Sequence, residues 1–297
     1  MSAGILNAVG NSRRSLIYLI IAAVSNIFLD LVMVVGLKLG IVGAALATDI
    51  SQLISCIFIW GFLIRSEEVY KLNVREIRCY DHLLSKIIRI GIPTGIQNIV
   101  ISFSNLIVQS SVNSFGATVM AGFAAYIKID GFNILPVLSI SMAATTFAGQ
   151  NIGAGKPDRV RKGMFVSTAM GVGYSIVTGI VLLIFAPQVI GVFTTNQKVV
   201  EYGVFIMRYF CPFYWMLAML HVLGGTARGV GKTMQTMIVF LLSLCGFRIL
   251  WLAVVMTFAR DLGNMMLCYP TSWLVGMLLM VLYVWKGLKF SGRNVQN

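Results

Sequence analysis

The chain has 297 residues, of which 58% are hydrophobic and only 11% are charged, and its mean hydropathy is +0.87. Because soluble domains carry roughly 25% charged residues, this composition excludes an ordinary soluble protein. The net charge of +13 would suit a nucleic-acid-binding protein only if the basic residues formed one patch on a soluble surface. We therefore expect an all-α polytopic membrane protein, and the positions of the basic residues test the nucleic-acid alternative.

A helix needs about 20 mainly apolar residues to cross a bilayer. Eight segments of the sequence meet this requirement and predict eight transmembrane helices. We number them spans 1 to 8, at residues 15–36, 41–64, 87–112, 117–148, 164–194, 201–224, 234–258 and 264–287. Span 1 follows two arginines and has no cleavage motif of the A-x-A type, so we interpret it as a retained helix and not as a signal peptide.

The 23 lysines and arginines are distributed unevenly between these spans. One set of alternate loops, which includes both termini, holds 17 of them, and the opposite set holds 3. Since cytoplasmic loops are enriched in Lys and Arg, we expect a multi-pass plasma-membrane protein with both termini in the cytoplasm and no nucleic-acid partner. The minority loops hold Lys38, Lys198 and Arg260. The remaining 3, Lys128, Arg208 and Arg248, lie well inside spans, whereas Arg89 and Lys286 lie at span ends and are counted with the majority set.

The sequence contains no motif typical of catalysis or of cofactor binding. Its five cysteines show no C-x-x-C spacing, which favours apolar packing over a metal or redox role. GTARGVGKT resembles a phosphate-binding loop, but Thr226 stands where that loop requires a glycine. We expect neither an enzyme nor a resident cofactor, and no metal beyond a coupling sodium ion.

Residues 65–86 form a long connector in which apolar residues alternate with charges. This pattern predicts an amphipathic helix on the cytoplasmic surface, and a solvated loop is the alternative.

The sextet NAVGNS at residues 7–12 is similar to RGVGKT at 228–233, and each precedes two spans. Internal repeats of this kind are typical of transporters built from two related bundles.

The order of spans resembles the multidrug and toxic compound extrusion (MATE) family. The resemblance covers almost the whole chain and is most specific at residues 121–163. It is carried by SNIFLDLVMVVG, GIVGAALATDISQ, IGIPTGIQN and AAYIKIDGFNILPVLSISMAATTFAGQNIGAGKPDRVRKG.

The resemblance implies a fold of twelve helices in two six-helix lobes, of which the first four helices have no counterpart in this sequence. Residues 1–64 would then be the last third of the N-lobe. Residues 65–86 would connect the lobes, 87–290 would form a complete C-lobe, and 291–297 would be a cytoplasmic tail.

Asn26 and Asp30 lie four residues apart in span 1 and therefore share one helical face. An ionisable group in hydrocarbon costs at least ~2.5 kcal/mol on insertion scales and usually faces a bundle interior or a watery cavity. In the DNA-damage-inducible branch of the family, such residues form an N-lobe cation site, and the resemblance extends that role to Asn26, Asp30 and Thr48. The aspartate that this site takes from the first helix has no counterpart in the chain.

Oxygen ligands from a carboxylate, an amide and a hydroxyl suit a hard cation such as Na⁺. A buried carboxylate can exchange a proton instead, so the sequence leaves Na⁺ and H⁺ open as coupling ions. The alternative to an ion site is that Asn26 and Asp30 only form hydrogen bonds with neighbouring helices.

Span 4 contains a second polar cluster. Lys128 and Asp130 project about 200° apart around the helix, so each is expected to have its partner on another helix. Asp130 and Asn133 share a face, which predicts a substrate or proton site in the C-lobe, with a structural polar network as the alternative. A second branch of the family uses carboxylates on its seventh and tenth helices, but span 3 offers amides there, among them Gln97 and Asn98, which counts against that site.

Arg208 opens the aromatic stretch RYFCPFYW in span 6. Aromatic faces attract organic cations, so this stretch is a candidate part of a drug route. Packing or an interfacial belt is the commoner use of such a stretch and the favoured interpretation. Arg248 is embedded in span 7, and the sequence does not reveal its partner.

The resemblance implies export of small organic cations in exchange for Na⁺ or H⁺, by alternating access of two lobes about a central cavity. The expected partners are the lipid bilayer and those cations. Because a rocking mechanism needs two lobes, an inactive fragment or a half-transporter completed by a second chain stays open. A lipid flippase of a related superfamily is a further alternative.

Overall fold

A computed structural model describes residues 2–68, 70–76, 78 and 80–287, and this part of the chain is helical without any strand. Val69, Ile77 and the predicted tail at 291–297 lie outside it. The eight predicted spans and the all-α fold are confirmed for the described residues. The spans are Ser12–Gly36, Gly40–Arg65, Asp81–Asn113, Ala117–Gly153, Pro157–Ile184, Gln197–Gly229, Thr233–Phe258 and Leu262–Lys286.

Span 5 ends earlier than the sequence predicts. Instead of covering residues 164–194, its helix ends at Ile184 and is followed by a short helix, Ala186–Gly191. Phe185 between them leaves the α-helical conformation, with a ψ of 17°. Pro187 lies in the first turn of the short helix, where its missing N–H costs no hydrogen bond.

The described helices group into two compact units, Met1–Asp81 and His82–Asn297. The first unit contains a short helix, Ser2–Ala8, and spans 1 and 2, while the second contains spans 3 to 8. The assignment of these units to parts of two transporter lobes stays a prediction.

The first unit has a small core. Its buried apolar side chains are Leu6, Ile59 and Leu63, and Tyr18 and Phe62 pack against them. Only 6% of the most apolar window of span 1 is buried. Most of the apolar surface of this span is therefore available to lipid or to other helices.

The described residues of the connector after span 2 do not form the amphipathic helix predicted for residues 65–86. Its described part contains one 3₁₀ turn, Val74–Glu76, and the residues from Asp81 onward belong to span 3. The N–H of Leu72 donates to the carbonyl of Leu63 at 2.9 Å, and the Leu72 side chain packs on the core of the first unit. The connector thus partly buries this apolar residue by folding back on span 2, and its described residues form no surface helix.

The second unit has a large core centred on spans 6 and 8. In each of these spans 50% of the most apolar window is buried, against 17% in spans 3 and 5. Phe123 of span 4, Phe210 and Leu220 of span 6, Phe240 of span 7 and Met280 of span 8 are all at most 1% exposed. Span 6 therefore forms much of the interior of the unit.

Spans 4 and 6 cross at very short range, and we call this contact the 4/6 crossing. A Cβ atom at Gly225 would lie 2.5 Å from the carbonyl oxygen of Ser141. Ser141 Oγ donates to the carbonyl of His221 at 2.6 Å, and Thr145 Oγ1 donates to that of Gly225 at 2.9 Å. Small residues and interhelical hydrogen bonds hold helices together in lipid, so this crossing fixes the register between the two spans.

Two spans contain a π-helical turn beside a charged residue. In span 1 the turn Leu31–Gly36 directly follows Asp30, and in span 7 the turn Leu241–Phe247 directly precedes Arg248. Ser104 of span 3 donates its hydroxyl to a carbonyl inside the second turn, that of Leu244, at 2.7 Å. Because π turns are rare and often lie at functional sites, both positions are of interest for function.

We expect Gly225→Ala to lower the free energy of unfolding by about 1–3 kcal/mol, because the added methyl group would overlap the backbone of span 4. Gly173→Ala in span 5 is the matched control, since no atom lies within 4 Å of its Cβ position. The measurement is the midpoint of thermal unfolding of each detergent-purified variant. Equal midpoints for the two variants would contradict the close 4/6 crossing.

Ser104→Ala is expected to destabilise the chain by about 0.6–1.5 kcal/mol, since the hydrogen bond between spans 3 and 7 is lost. The control is Ser139→Ala. It removes an exposed hydroxyl that donates to the carbonyl of Leu135 within its own helix. Thermal unfolding in the same detergent compares the two. If Ser139→Ala lost as much stability as Ser104→Ala, the hydrogen bond to the π turn would contribute no more to stability than a hydrogen bond within one helix.

Candidate functional site

Asn26 and Asp30 lie on one face of span 1, and both are half-buried. Among the described residues, Nδ2 of Asn26 and Oδ1 of Asp30 are buried atoms without a hydrogen-bond partner. Buried polar groups are nearly always paired. Two unpaired atoms on one helical face therefore mark a position at which an ion, a water molecule or a polar ligand group would be stabilising.

Thr48, the third residue of the predicted cation site, lies in span 2 and is exposed. Its hydroxyl donates to the carbonyl of Ala44 at 3.0 Å, within its own helix. The lone pairs of the Thr48 oxygen can still accept a hydrogen bond or coordinate a cation. No hydrogen bond between described residues joins Thr48 to Asn26 or Asp30, so its part in the site stays a prediction.

A hydrogen-bonded chain of three side chains joins spans 4 and 6 of the second unit. Tyr126 Oη donates to Asp130 Oδ1 at 3.1 Å and lies 2.9 Å from Tyr214 Oη. A tyrosine has one hydroxyl proton, so when Tyr126 donates to Asp130, Tyr214 must donate to Tyr126. Tyr126 and Tyr214 are 3% and 2% exposed, whereas Asp130 is half-buried. The carboxyl group is therefore the accessible end of the chain.

The other polar candidates of span 4 have different surroundings. Lys128 is exposed, and its Nζ lies 5.5 Å from the centre of the Phe193 ring. Asn133 is buried, its Oδ1 has no partner among the described residues, and it lines a mainly apolar cavity of about 450 Å³ beside span 5. Lys128 and Asp130 thus have separate partners. Lys128 contacts Phe193 beyond span 5, whereas Asp130 accepts its hydrogen bond from Tyr126 of its own span and not from another helix as expected.

Three further candidates are not joined to the Asp130 chain by a hydrogen bond within the described structure. Gln97 is buried, and its Oε1 has no partner among the described residues. Asn98 and Arg208 are exposed. A role of these residues in substrate binding stays a prediction.

Arg248 is buried where three spans meet. Its Nη1 donates to Asn105 Oδ1 of span 3 at 3.0 Å, and its Nη2 donates to Ser272 Oγ of span 8 at 3.2 Å. Its Cζ lies 4.3 Å from the centre of the Tyr269 ring, a cation–π contact. Its Nε is buried without a partner among the described residues. The guanidinium group is thus held by neutral groups only.

The aromatic residues of span 6 pack inside the second unit. The Phe210 ring centre lies 4.7 Å from that of Tyr269 and 5.0 Å from that of Tyr126. The Tyr214 ring lies 5.9 Å from Trp273. These distances are typical of packed aromatic pairs, so Phe210 and Tyr214 of the stretch RYFCPFYW pack in the core. A part of this stretch in a drug route stays a prediction.

Sequence analysis missed Tyr126, Tyr214 and Tyr269 as partners of the half-buried Asp130 and the buried Arg248. A signal existed, because these tyrosines lie within spans instead of at the membrane interfaces where tyrosine is enriched. A buried tyrosine hydroxyl usually requires a hydrogen-bond partner. The sequence did not show which polar group on which span would supply it.

The fold and these sites define a class of protein: a polytopic helical membrane protein with polar groups at a few positions inside its spans, as in transporters. The sequence profile of the MatE family matches residues 93–254, which is more than half of the chain. The chain therefore belongs to the MATE family of multidrug and toxic compound extrusion transporters, which are not enzymes.

Curated relatives are similar to this chain over most of its length. The probable multidrug resistance protein YpnP of Bacillus subtilis (strain 168) is 28% identical over 240 residues, which cover 80% of this chain and 53% of YpnP. The probable multidrug resistance protein NorM of Thermotoga maritima is 27% identical over 250 residues, which cover 82% of this chain and 53% of NorM. The chain thus spans about half the length of these relatives.

Solved structures show the same fold. A crystal structure of a MATE protein in complex with MaL6 superposes with a TM-score of 0.87 at 19% identity, covering 99% of this chain and 65% of that protein. A MOP superfamily transporter from Pyrococcus furiosus Vc1 superposes with a TM-score of 0.87 at 20% identity and the same coverage. At these identities the likeness establishes the fold alone.

Proposed function

We propose that the chain is part of a secondary active transporter that exports small organic cations in exchange for Na⁺ or H⁺ by alternating access. One observation supports this most directly: the unpaired Asn26 Nδ2 and Asp30 Oδ1 lie on one face of a membrane span. Polar groups are costly inside a membrane and usually mark an ion or substrate pathway. Membership of a transporter family gives this pair its functional context.

The coupling ion would bind at Asn26 and Asp30, with Thr48 as a third ligand. Asp30 supplies a carboxylate, and rotation of the Asn26 amide presents its oxygen in place of its nitrogen. Such oxygen donors suit Na⁺, while the carboxylate alone is sufficient for a proton. Binding of Na⁺ would therefore depend on the Asn26 amide and the Thr48 hydroxyl as well as on Asp30, whereas binding of a proton would depend mainly on Asp30.

The chain spans 53% to 63% of the length of the curated relatives that it matches over most of its own length. The transport activity is therefore proposed for the whole protein of which these helices are a part.

Asp30→Asn is expected to weaken the binding of radioactive Na⁺ to the purified chain by at least about tenfold, because a carboxylate ligand is lost. If H⁺ is the coupling ion, the wild-type chain does not bind Na⁺, and Asp30→Asn instead reduces the pH dependence of binding of ethidium, a fluorescent organic cation. Both measurements are made on detergent-purified protein.

The control for this experiment is Asp158→Asn, which removes an exposed carboxylate from the first turn of span 5 and should leave both measurements unchanged. An Asp30→Asn variant with wild-type Na⁺ affinity and wild-type pH dependence would refute the proposed ion site.

The proposed orientation places both termini and the Lys- and Arg-rich loops in the cytoplasm. In a background with Cys56 and Cys79 replaced by serine, Lys198→Cys should react with a membrane-impermeant maleimide on intact cells. Lys162→Cys should react only after permeabilisation, and both positions are exposed. The reverse pattern of labelling would show that the termini and the Lys- and Arg-rich loops lie outside the cell, contrary to the proposed orientation.

A further inference from the structure

A groove of about 500 Å³ lies between spans 4 and 5, near the turn that joins them. We call it the 4/5 groove. Span 4 lines it with Ala143 and Phe147, and span 5 lines it with residues between Arg159 and Ser167. Neither the candidate ion site nor the hydrogen-bonded chain of Asp130 includes these residues. The groove is therefore a separate feature of the second unit.

A tight turn places the two walls of the groove side by side. The N–H of Lys156 donates to the carbonyl of Asn151 at 2.8 Å, which closes the end of span 4. Gly155 has a φ of 67°, a conformation that glycine adopts without strain, and span 5 begins directly afterwards at Pro157. Positions equally far from this turn therefore lie opposite each other on the two helices.

Close packing fixes the shape of the groove. Phe147 lies opposite Gly163, where a Cβ atom would be 2.7 Å from Cδ1 of the Phe147 ring. Next to this contact, Ala148 and Ile152 of span 4 pack with Val160 of span 5, and all three are buried. Because densely packed side chains change shape little, the groove is present before any ligand binds.

The groove is cationic at one end and apolar at the other. Arg159 and Lys162 line the end nearest the turn, whereas Val166 lines the part further along span 5. These three positions share one face of the helix, and a rise of 1.5 Å per residue places Val166 about 10 Å beyond Arg159. An amphiphile with an anionic head and an apolar tail matches this arrangement.

The basic end of the groove carries an excess of positive charge. Residues 156–162 contain four basic side chains and one acidic side chain, Asp158, which gives a net charge of +3. Asp158 is four residues from Lys162, yet within the described residues no ion pair or side-chain hydrogen bond involves Arg159 or Lys162. Both basic side chains are exposed. They are therefore available to donate to phosphate oxygens, as arginine and lysine commonly do.

We propose that the 4/5 groove binds one anionic phospholipid. Its phosphate group contacts Arg159 and Lys162, and one of its acyl chains lies along Phe147 and Val166. Basic pockets between membrane helices on the cytoplasmic side bind anionic head groups in this way. The proposed orientation places the turn between spans 4 and 5 in the cytoplasm, so the lipid would come from the inner leaflet. The site does not depend on transport of organic cations.

The basic residues also agree with the proposed orientation alone, in which they mark a cytoplasmic loop and bind nothing specific. The two explanations differ in what they require of individual side chains. Orientation requires only the total charge of the loop. A lipid site requires the two basic residues that line the groove and the apolar wall beside them, so variants of equal charge distinguish the explanations.

Native mass spectrometry of the detergent-purified full chain counts bound lipids and gives the dissociation constant of the first. Dioleoylphosphatidylglycerol, which is anionic, should bind at least about tenfold more tightly than dioleoylphosphatidylcholine, which has no net charge. Arg159→Gln combined with Lys162→Gln should weaken phosphatidylglycerol binding by about thirtyfold, the sum expected for two basic residues. Equal affinity of the wild-type chain for the two lipids would overturn the proposal.

The matched control combines Lys156→Gln with Arg161→Gln. It removes the same charge from two exposed positions at the same end of span 5, neither of which is part of the groove wall in the described structure. Its affinity for phosphatidylglycerol should stay close to that of the wild-type chain. An equal loss in the two double variants would refute the site, because it would show attraction to the loop charge as a whole.

Ala143→Phe tests the apolar part of the groove without changing any charge. The new ring would occupy the space of part of an acyl chain, and loss of about two buried methylene groups lowers affinity about tenfold. Ala121→Phe, at an exposed position of span 4 outside the described groove, should leave the affinity unchanged. An Ala143→Phe variant that binds phosphatidylglycerol as tightly as the wild-type chain would contradict the placement of the acyl chain.

Inorganic phosphate separates a lipid site from a simple anion site. It offers the same phosphate chemistry without acyl chains, so at an equal concentration it should not displace bound phosphatidylglycerol. If inorganic phosphate displaced the lipid as effectively as added phosphatidylglycerol does, the groove would be an anion site, and its assignment to a lipid would be wrong.

Discussion

The 4/6 crossing determines the geometry on which much of the second unit depends. Gly225 allows the two helices to approach until the hydroxyls of Ser141 and Thr145 reach backbone carbonyls of span 6. Tyr126 and Tyr214 lie on the same two helices, so the register that is fixed at the crossing also brings their hydroxyls to 2.9 Å. A larger residue at the crossing would therefore disturb the hydrogen-bonded chain as well as the packing.

The charged groups inside the two units have different hydrogen-bond partners among the described residues. In the second unit, Asp130 accepts a hydrogen bond from Tyr126, and Arg248 donates to Asn105 and Ser272 although its Nε has no partner. In the first unit, Oδ1 of Asp30 and Nδ2 of Asn26 are both buried without a partner on the same helical face. Because lipid offers no hydrogen bonds, this pair requires an ion, water or another polar group from outside the described structure.

Sequence analysis located the spans and the charged positions, because a charge stands out within an apolar run. It did not identify partners, since Asn105 and Ser272 lie 143 and 24 residues from Arg248. Which of them meet depends on how helices pack, and a single sequence does not determine that register. The prediction of an amphipathic helix in the connector was wrong for a related reason. Leu72 fits the apolar face of such a helix, but it is instead partly buried against the end of span 2.

The π turn in span 7 links the direction of a side chain to the exact number of residues before it. Such a turn contains an extra residue, and one residue rotates a helix by about 100°. Deletion of a single residue within Leu241–Phe247 would leave the span apolar and continuous, and conversion of the π turn to regular α-helix would let Arg248 keep facing Asn105 and Ser272. The turn can therefore absorb a change of one residue in the length of the span without moving the arginine.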